Sequence, residues 1–333
     1  MKKLMNDPSA YVEEMLAGLV AAHPELTLGG ESGRCVSLAD PVGGGKVGIA
    51  TGGGSGHLPL FTGYVGKGLV DACAIGNVFE GPGVQSCIDA IRAADSGAGV
   101  LCLYGNYGGD RMNFDMACEM VGMEDIACET VLGADDIASA APAEAEKRRG
   151  VAGIVLVYKA AGAAAVEGRD LAGVAEIARK AGAATRSIGV ALSPCQVPTA
   201  EAPNFEIGAG EMEIGMGIHG EPGIWRAPLA GADKVADDML DRLLSELSPG
   251  RGSRVVPLVN GLGATPLEEL FILYRRVSER LTDAGIAPVS PLVGNFVTSM
   301  EMAGASLSLM VLDDELEALI KAPASCPFWR VAT

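Results

Sequence analysis

Short apolar runs without polar alternation recur through the first half of the chain, separated by glycine-rich turns and by stretches of helical composition. Such runs are typical of strands that are covered on both faces of a sheet. We predict strands at residues 47–50, 72–75, 100–103, 126–131 and 154–157. We predict helices between them at residues 86–94, 110–121 and 175–182. This alternation predicts an α/β fold, with a three-layer α/β/α domain built on a mostly parallel sheet.

The pattern changes after Gly182, where prolines and longer loops become frequent. We therefore predict two domains, an N-terminal α/β domain at residues 1–183 and a smaller α/β domain with a mixed sheet at residues 184–333. The second domain has predicted strands at 187–192, 255–259 and 305–312 and helices at 234–247 and 266–284. Thr265 is a plausible N-cap of the last of these helices, with Pro266 at its first position.

Composition and charge exclude several classes of protein. The 333 residues carry a net charge of −17, which disfavours nucleic acid as a partner. The N-terminus has no apolar leader, and the longest apolar stretch, at 151–166, is interrupted by Lys159, so we predict a cytoplasmic chain that does not enter a membrane. The eight cysteines form no Cys-x-x-Cys pair and are predicted to be buried thiols in a reducing compartment. No metal site is predicted, because neither His-x-x-x-His nor paired cysteines occur.

Two glycine-rich segments follow predicted strands at the end where open α/β sheets bind ligands. The first, at residues 51–57, ends in His57, and its glycines allow backbone N–H groups to approach a small polar ligand. The alternative is a tight loop with an exposed histidine. The second, at residues 105–111, places Asp110 after a glycine pair at the start of a helix. Asp110 is there equally interpretable as an N-cap or as a general base.

A third glycine-rich segment, at residues 213–223, contains His219. Its glycines formally match the dinucleotide pattern G-x-G-x-x-G, but Pro222 and Gly223 stand where a helix would have to begin. A nucleotide-phosphate loop is missing as well, since no Gly-Lys pair is followed by Ser or Thr. We therefore predict that this chain binds no nucleotide cofactor.

Taken together, these segments resemble the sugar-binding subunit of the dihydroxyacetone kinase family. The matching segments are residues 52–57, 63–68, 76–79, 106–114 and 215–223. They follow the family's order and spacing over nearly the full length of the chain.

The resemblance implies a chemistry and a set of site residues. It implies that a ring nitrogen of His219 adds to the ketone carbon of the substrate to give a covalent hemiaminal, so that polyols are rejected because they have no carbonyl. It further implies that Asp110 is the base for the attacking hydroxyl and that His57 hydrogen-bonds the substrate and assists proton transfer. The implied substrate-binding residues are Gly53, Gly54, Ser55, Gly56, His57, Gly105, Asp110 and His219.

The resemblance also implies partners. Relatives of this length bind the sugar alone, so ATP or ADP and Mg²⁺ are expected on a nucleotide-binding (DhaL-type) subunit and no cofactor on this chain. A phosphocarrier-linked (DhaM-type) subunit is a further candidate partner, and a homodimer is the implied assembly.

Departures from the family pattern concern the choice of ketose. Relatives specific for dihydroxyacetone usually have Lys and Glu where this chain has Gly105 and Leu58, and small residues where it has Glu80 and Gly81. Loss of two charged side chains makes room, so we predict a short ketose that is either dihydroxyacetone or a tetrulose such as erythrulose. The alternative function is a non-catalytic ketose sensor that co-activates a transcription regulator. Retention of Asp110 and His57 favours the enzyme, because a sensor needs no base.

Overall fold

The computed structural model describes residues 2–40 and 43–332, in which helices and strands alternate. The α-helices are α1 (Tyr11–Ala22), α2 (Val84–Ala94), α3 (Gly108–Gly122), α4 (Ile154–Val166), α5 (Leu171–Ala183), α6 (Ala232–Leu247), α7 (Leu267–Asp283) and α8 (Asp314–Lys321). The strands are β1 (Leu26–Gly29), β2 (Cys35–Leu38), β3 (Gly48–Ser55), β4 (Ala72–Val78), β5 (Val100–Gly105), β6 (Cys128–Gly133), β7 (Thr185–Ala191), β8 (Glu211–Ile214), β9 (Trp225–Pro228), β10 (Arg254–Gly261), β11 (Ala287–Pro288), β12 (Leu292–Gly294), β13 (Gly304–Leu312), β14 (Ala324–Ser325) and β15 (Arg330–Val331).

The chain divides into two compact units that are discontinuous in sequence. Unit 1 comprises Met1–Gly133, Val157–Lys180 and Ala318–Thr333, and unit 2 comprises Ala134–Leu156 and Ala181–Glu317. The two domains predicted from the sequence are continuous segments that meet after residue 183. Residue 183 lies close to Lys180 and Ala181, where the chain leaves unit 1 and enters unit 2. The prediction contains none of the other positions at which the chain crosses from one unit to the other.

Unit 1 contains a six-stranded sheet in the order β1-β2-β4-β3-β5-β6. The four neighbouring strands β4, β3, β5 and β6 pair in parallel. At one edge of the sheet, β1 pairs with β2 and β2 with β4, both antiparallel. Ala50 of β3 packs in a buried cluster with residues of α2 and α3, whereas the hydroxyl of the next residue, Thr51, lies 2.7 Å from that of Tyr158 in α4. Because successive side chains of a strand point to opposite faces, helices cover both faces, and the predicted three-layer architecture is confirmed.

One predicted strand is wrong. Residues 154–157 form the first turn of α4 instead, because the apolar run continues past the single charged residue Lys159 through an alanine-rich segment to Val166. Continuous apolar character cannot distinguish a buried helix from a buried strand. A Cβ added at Gly162 of α4 would lie 2.4 Å from the carbonyl oxygen of Gly68, so this helix packs directly on backbone. Lys159 is buried in the same helix, donates a hydrogen bond to the carbonyl of Leu319, and has its pKa lowered to about 8 by burial.

Unit 2 contains a seven-stranded sheet in the order β11-β10-β13-β7-β8-β9, with β12 also paired to β10. Strand β10 runs parallel to β11 and β12 and antiparallel to β13, so the predicted mixed sheet is confirmed. Helices α6 and α7 pack on the sheet in a continuous apolar core. Thr265 is not the N-cap of α7, because Pro266 occupies that position and the Thr265 hydroxyl donates to the carbonyl of Gly304. Within residues 2–40 and 43–332, no helix combines the length and the apolar character that crossing a membrane requires.

Candidate active-site residues

His57 follows the carboxyl end of β3, which extends through the glycine-rich segment as far as Ser55. Its side chain is buried, with the residue only 1% exposed. The imidazole stacks on the ring of Phe79, with centroids 5.0 Å apart and planes 21° apart, and meets Phe61 edge-on at 6.3 Å. The alternative of an exposed loop histidine is therefore wrong, and two aromatic rings orient this imidazole.

The glycines of β3 are required by close packing. A Cβ added at Gly53 would lie 2.1 Å from the ring of Phe61, and one added at Gly54 would lie 2.8 Å from the backbone nitrogen of Glu80. Distances under about 3 Å are steric overlap, so these positions accept no side chain unless their neighbours move. The lining of a substrate pocket by Gly53, Gly54, Ser55 and Gly56 stays a prediction.

Asp110 lies in the first turn of α3, two residues after the helix begins at Gly108. The N-cap is Tyr107, so the alternative of Asp110 as the N-cap is wrong. Asp110 is buried, and its carboxylate lies where the positive end of the helix dipole favours a negative charge. Gly105 stands just before it, buried at the end of β5 and paired with Gly133.

The turn after β4 links Asp110 to His57. A Cβ added at Gly81 would lie 3.1 Å from the Asp110 carboxylate, and Phe79, two residues earlier, stacks on His57. The structure therefore places both residues around one turn at the carboxyl end of the sheet in unit 1. Phe79 adopts a positive φ of 63°, an uncommon conformation for an aromatic residue.

His219 belongs to unit 2, in the loop between the antiparallel strands β8 and β9. The Glu221 carboxylate binds it twice: one oxygen lies 2.9 Å from Nδ1 of the ring, and the other accepts a hydrogen bond of 2.9 Å from the backbone N–H of His219. Further hydrogen bonds fix the backbone on either side, since Asn204 donates to the carbonyl of His219 and Ser299 to that of Ile218.

Two further charged residues, Arg149 and Asp136, lie near Glu221. Arg149 lies 3.7 Å from its carboxylate, pairs with the buried Asp136 at 2.8 Å, and donates to the carbonyl of Gly215. Burial opposes ionisation of Glu221, but the hydrogen bond from His219, the charge that the His219 ring carries when it is protonated, and the charge of Arg149 outweigh it and lower the Glu221 pKa to about 2. Glu221 is therefore an ionised acceptor at neutral pH.

An ionised acceptor at Nδ1 selects one form of the His219 ring. Nδ1 must carry a proton in order to donate to Glu221, which leaves the lone pair of the neutral imidazole on Nε2. The His219 side chain is 22% exposed, so the ring is accessible to a small molecule. This arrangement is that of an oriented nitrogen nucleophile with a carboxylate behind it.

Sequence reasoning missed several of these residues. Glu221 stands two residues after His219, and that short spacing was a signal that a carboxylate could contact the imidazole. Phe79 lies inside a segment that matched the family but received no role. Arg149 and Asp136 gave no signal, because they precede His219 by 70 residues or more.

Comparison with known proteins shows the family. The model of the Dak1 domain matches residues 17–328. The dihydroxyacetone-binding subunit DhaK of PTS-dependent dihydroxyacetone kinase 2 from Listeria innocua is 48% identical over 336 residues, covering 99% of this chain and 100% of that protein. The L-erythrulose kinase of Pectobacterium atrosepticum is 46% identical, covering 99% of this chain and 56% of that protein. The chain belongs to the Dak1 family, and the resemblance to dihydroxyacetone kinases is confirmed.

Solved structures agree on the fold. The dihydroxyacetone kinase of C. freundii superposes with a TM-score of 0.89 at 32% identity, covering 99% of this chain and 60% of that one. The dihydroxyacetone kinase operon co-activator Dha-DhaQ superposes with a TM-score of 0.88 at 31% identity, covering 95% and 98%. A kinase and a co-activator thus share this fold, so the fold alone does not distinguish the two functions.

Proposed function

We propose that this chain is the ketose-binding subunit of a dihydroxyacetone-kinase-type phosphotransferase and that Nε2 of His219 holds the substrate as a hemiaminal. The observation that carries the proposal is the 2.9 Å contact between Nδ1 of His219 and the Glu221 carboxylate, which leaves Nε2 as the nucleophile. Relatives named as a dihydroxyacetone-binding subunit and as an L-erythrulose kinase support the same substrate class.

The covalent step is an addition. The Nε2 lone pair forms a bond to the ketone carbon while the carbonyl π electrons move to oxygen, giving an alkoxide and a positively charged ring. The alkoxide takes up a proton and the ring releases the one on Nδ1, so the hemiaminal is neutral and no group is expelled. Glu221 stabilises the transient imidazolium, which is the role of a carboxylate behind a catalytic histidine.

Phosphoryl transfer uses the residues of unit 1. In our proposal Asp110 accepts the proton of the terminal hydroxyl as its oxygen attacks phosphorus, and His57 hydrogen-bonds the ketose and assists that proton transfer. Burial of both residues supports these roles, because a dry environment strengthens hydrogen bonds to a reacting group. ATP or ADP with Mg²⁺ belongs, in this proposal, to a nucleotide-binding subunit, and this chain binds no cofactor.

The substrate class is a short ketose of three or four carbons. Gly105 and Leu58 leave out two charged side chains of dihydroxyacetone-specific relatives, which favours a tetrulose at least as much as dihydroxyacetone. A difference of one CHOH unit is worth about 1 to 3 kcal/mol, so the preference is graded. The ratio of kcat/KM for erythrulose and dihydroxyacetone, measured with and without Gly105→Lys, tests this choice.

The decisive test is a crystal soaked with dihydroxyacetone or erythrulose. We expect continuous density from the His219 ring to the former carbonyl carbon, and none in the His219→Ala variant. Glycerol, which has no carbonyl, should give no adduct. A fully occupied ketose beside an unmodified His219 would contradict the proposal. We further propose that the chain forms a homodimer, and sedimentation velocity of the protein in solution tests this.

The second candidate is a non-catalytic ketose sensor, favoured by the likeness to the co-activator Dha-DhaQ. The two functions separate in an assay with ketose, ATP, Mg²⁺ and a DhaL-type subunit. The enzyme turns over at about 1 s⁻¹ or more only when that subunit is present. A sensor forms the same adduct on His219 and yields no sugar phosphate.

A further inference from the structure

Three cysteines from separate elements of unit 1 converge on one point. Cys102 lies on β5, Cys118 on α3 and Cys128 at the start of β6, and their sulfur atoms all lie within 4.8 Å of one another. The Sγ atoms of Cys102 and Cys118 are 3.6 Å apart. We call these residues the three-cysteine cluster.

The topology explains how residues so far apart in sequence meet. Strands β5 and β6 are parallel neighbours, and Cys128 pairs with Val100, two residues before Cys102. Cys102 faces the helices, since it is fully buried in the apolar cluster shared by the sheet, α2 and α3. Cys118 approaches from α3 and, like Cys128, is only partly buried at the edge of that core.

The spacing of the sulfur atoms suits a metal ion. Zinc–sulfur bonds are about 2.3 Å long, so sulfurs in a tetrahedral arrangement are roughly 3.8 Å apart. The sulfur atoms of the cluster lie at distances of this scale, with 3.6 Å between Cys102 and Cys118 and none above 4.8 Å. Buried cysteines are also ordinary small apolar side chains, but packing alone does not require three of them to meet from three elements.

The cluster is open to solvent on one side. Cys118 and Cys128 line a surface pocket that is also bordered by Glu119 and Asp125. An ion can enter through this pocket, and water can complete its coordination. Cys102 closes the opposite side, because it is fully buried.

We propose that Cys102, Cys118 and Cys128 form a binding site for a thiophilic d¹⁰ cation, Zn²⁺ or Cu⁺. Thiolates select these ions over hard cations such as Mg²⁺. On binding, each thiol releases its proton to solvent and forms one sulfur–metal bond, and no electron is transferred. The expectation of no metal site, drawn from the absence of paired cysteines in the sequence, is revised by this proposal.

Such a site would tie three elements together. Helix α3 carries Asp110 in its first turn and Cys118 in its last third, and β5 ends at Gly105. A ligand that binds only the folded state raises the free energy of unfolding in proportion to the logarithm of its concentration. We therefore expect the ion to stabilise unit 1, whether or not the chain is a kinase subunit.

The experiment uses the full chain, treated with chelator and kept reduced under nitrogen, and titrates it with Cd²⁺ as a spectroscopic probe. We expect a thiolate-to-cadmium charge-transfer band that saturates at one equivalent. Each of Cys102→Ser, Cys118→Ser and Cys128→Ser should weaken binding on the order of 100-fold or more, since loss of outer-shell partners alone costs about 10- to 100-fold. Cys326→Ser, at another partly buried cysteine, is the matched control and should bind as the unmodified chain does.

Competition with a chromophoric chelator then compares Zn²⁺ with Cu⁺, and tight binding of either supports the site and names its ion. No saturable band, or a band that survives in all three serine variants, would overturn the proposal. If Cys102→Ser does not fold, Cys118→Ser at the half-buried position still decides the matter. Zn²⁺ or Cu⁺ should raise the melting temperature of the unmodified chain and of Cys326→Ser, but not that of Cys118→Ser.

Discussion

The candidate site residues of the two units are held in place by different forces. In unit 1, the His57 ring contacts two aromatic rings, and glycines at positions 53, 54 and 81 allow a ring, backbone and the Asp110 carboxylate, respectively, to approach closely. In unit 2, His219 lies in a hairpin loop whose conformation depends on Glu221, Arg149 and a set of hydrogen bonds. Steric contact therefore holds His57 in unit 1, whereas charged groups and hydrogen bonds hold His219 in unit 2.

The difference is in keeping with the roles that we propose for these residues. A group that exchanges a proton with a bound hydroxyl must be in the right place, and close packing fixes place through steric contact. A nucleophilic imidazole must also be in the right tautomer, and only a hydrogen-bond partner can select it.

Replacing Asp110 with Asn removes the proposed base and leaves the shape of unit 1 almost unchanged. We expect kcat, measured with a DhaL-type subunit and ATP, to fall on the order of 10²- to 10⁴-fold. The adduct on His219 should still form in a crystal soak. Asp115→Asn, at an exposed position of the same helix, is the control and should retain activity. Unchanged kcat in Asp110→Asn would exclude Asp110 as the base.

Replacing Gly53 with Ala tests the role of shape. The added Cβ would overlap the ring of Phe61, at 2.1 Å, so we expect the free energy of unfolding to fall by about 1 to 3 kcal/mol in a urea titration. Gly83→Ala is the control, because a Cβ there meets nothing within 4 Å. Equal stability of the two variants would show that β3 is not closely packed at Gly53.

Replacing Glu221 with Gln tests the role of charge in unit 2. Gln keeps the size of the side chain but removes the ionised acceptor at Nδ1 of His219. We expect ketose affinity, measured by calorimetry, to fall about 10- to 100-fold, as is typical when the partner of a functional histidine is lost. Glu206→Gln, at an exposed position of the same unit, should bind normally. Full affinity in Glu221→Gln would show that the negative charge of the acceptor is not required.

The smallest expected effect is on stability in acid. The pKa of Glu221 is lowered from an ordinary 4.5 to about 2, so its ionised form is favoured in the folded state. Its contribution to stability is therefore complete above about pH 4.5 and is lost as the pH falls towards 2. In urea titrations, the difference in unfolding free energy between the unmodified chain and Glu221→Gln should be smaller near about pH 3 than near about pH 5. A difference independent of pH over this range would contradict the lowered pKa.

Much of the site could be anticipated because it follows strand ends. The glycine-rich segments after β3 and β5 carry His57 and Asp110, and the parallel sheet brings the carboxyl ends of its strands to one edge. The short spacing of Glu221 and His219 signalled that the two could be in contact. The roles of Phe79 and Arg149 gave no such signal, because Phe79 acts through the conformation of a turn and Arg149 reaches the His219 loop from a distant part of the chain.

By itself the sequence determined the alternation of strands and helices, the family, and the segments that hold His57, Asp110 and His219, because local periodicity and motif spacing are readable along the chain. Only the tertiary structure decided that residues 154–157 are helical, that Glu221 orients the His219 ring, and that Cys102, Cys118 and Cys128 meet. These outcomes depend on which element lies beside which and in what register. The free energy of burying side chains across the whole unit sets that arrangement, and no short window of sequence contains it.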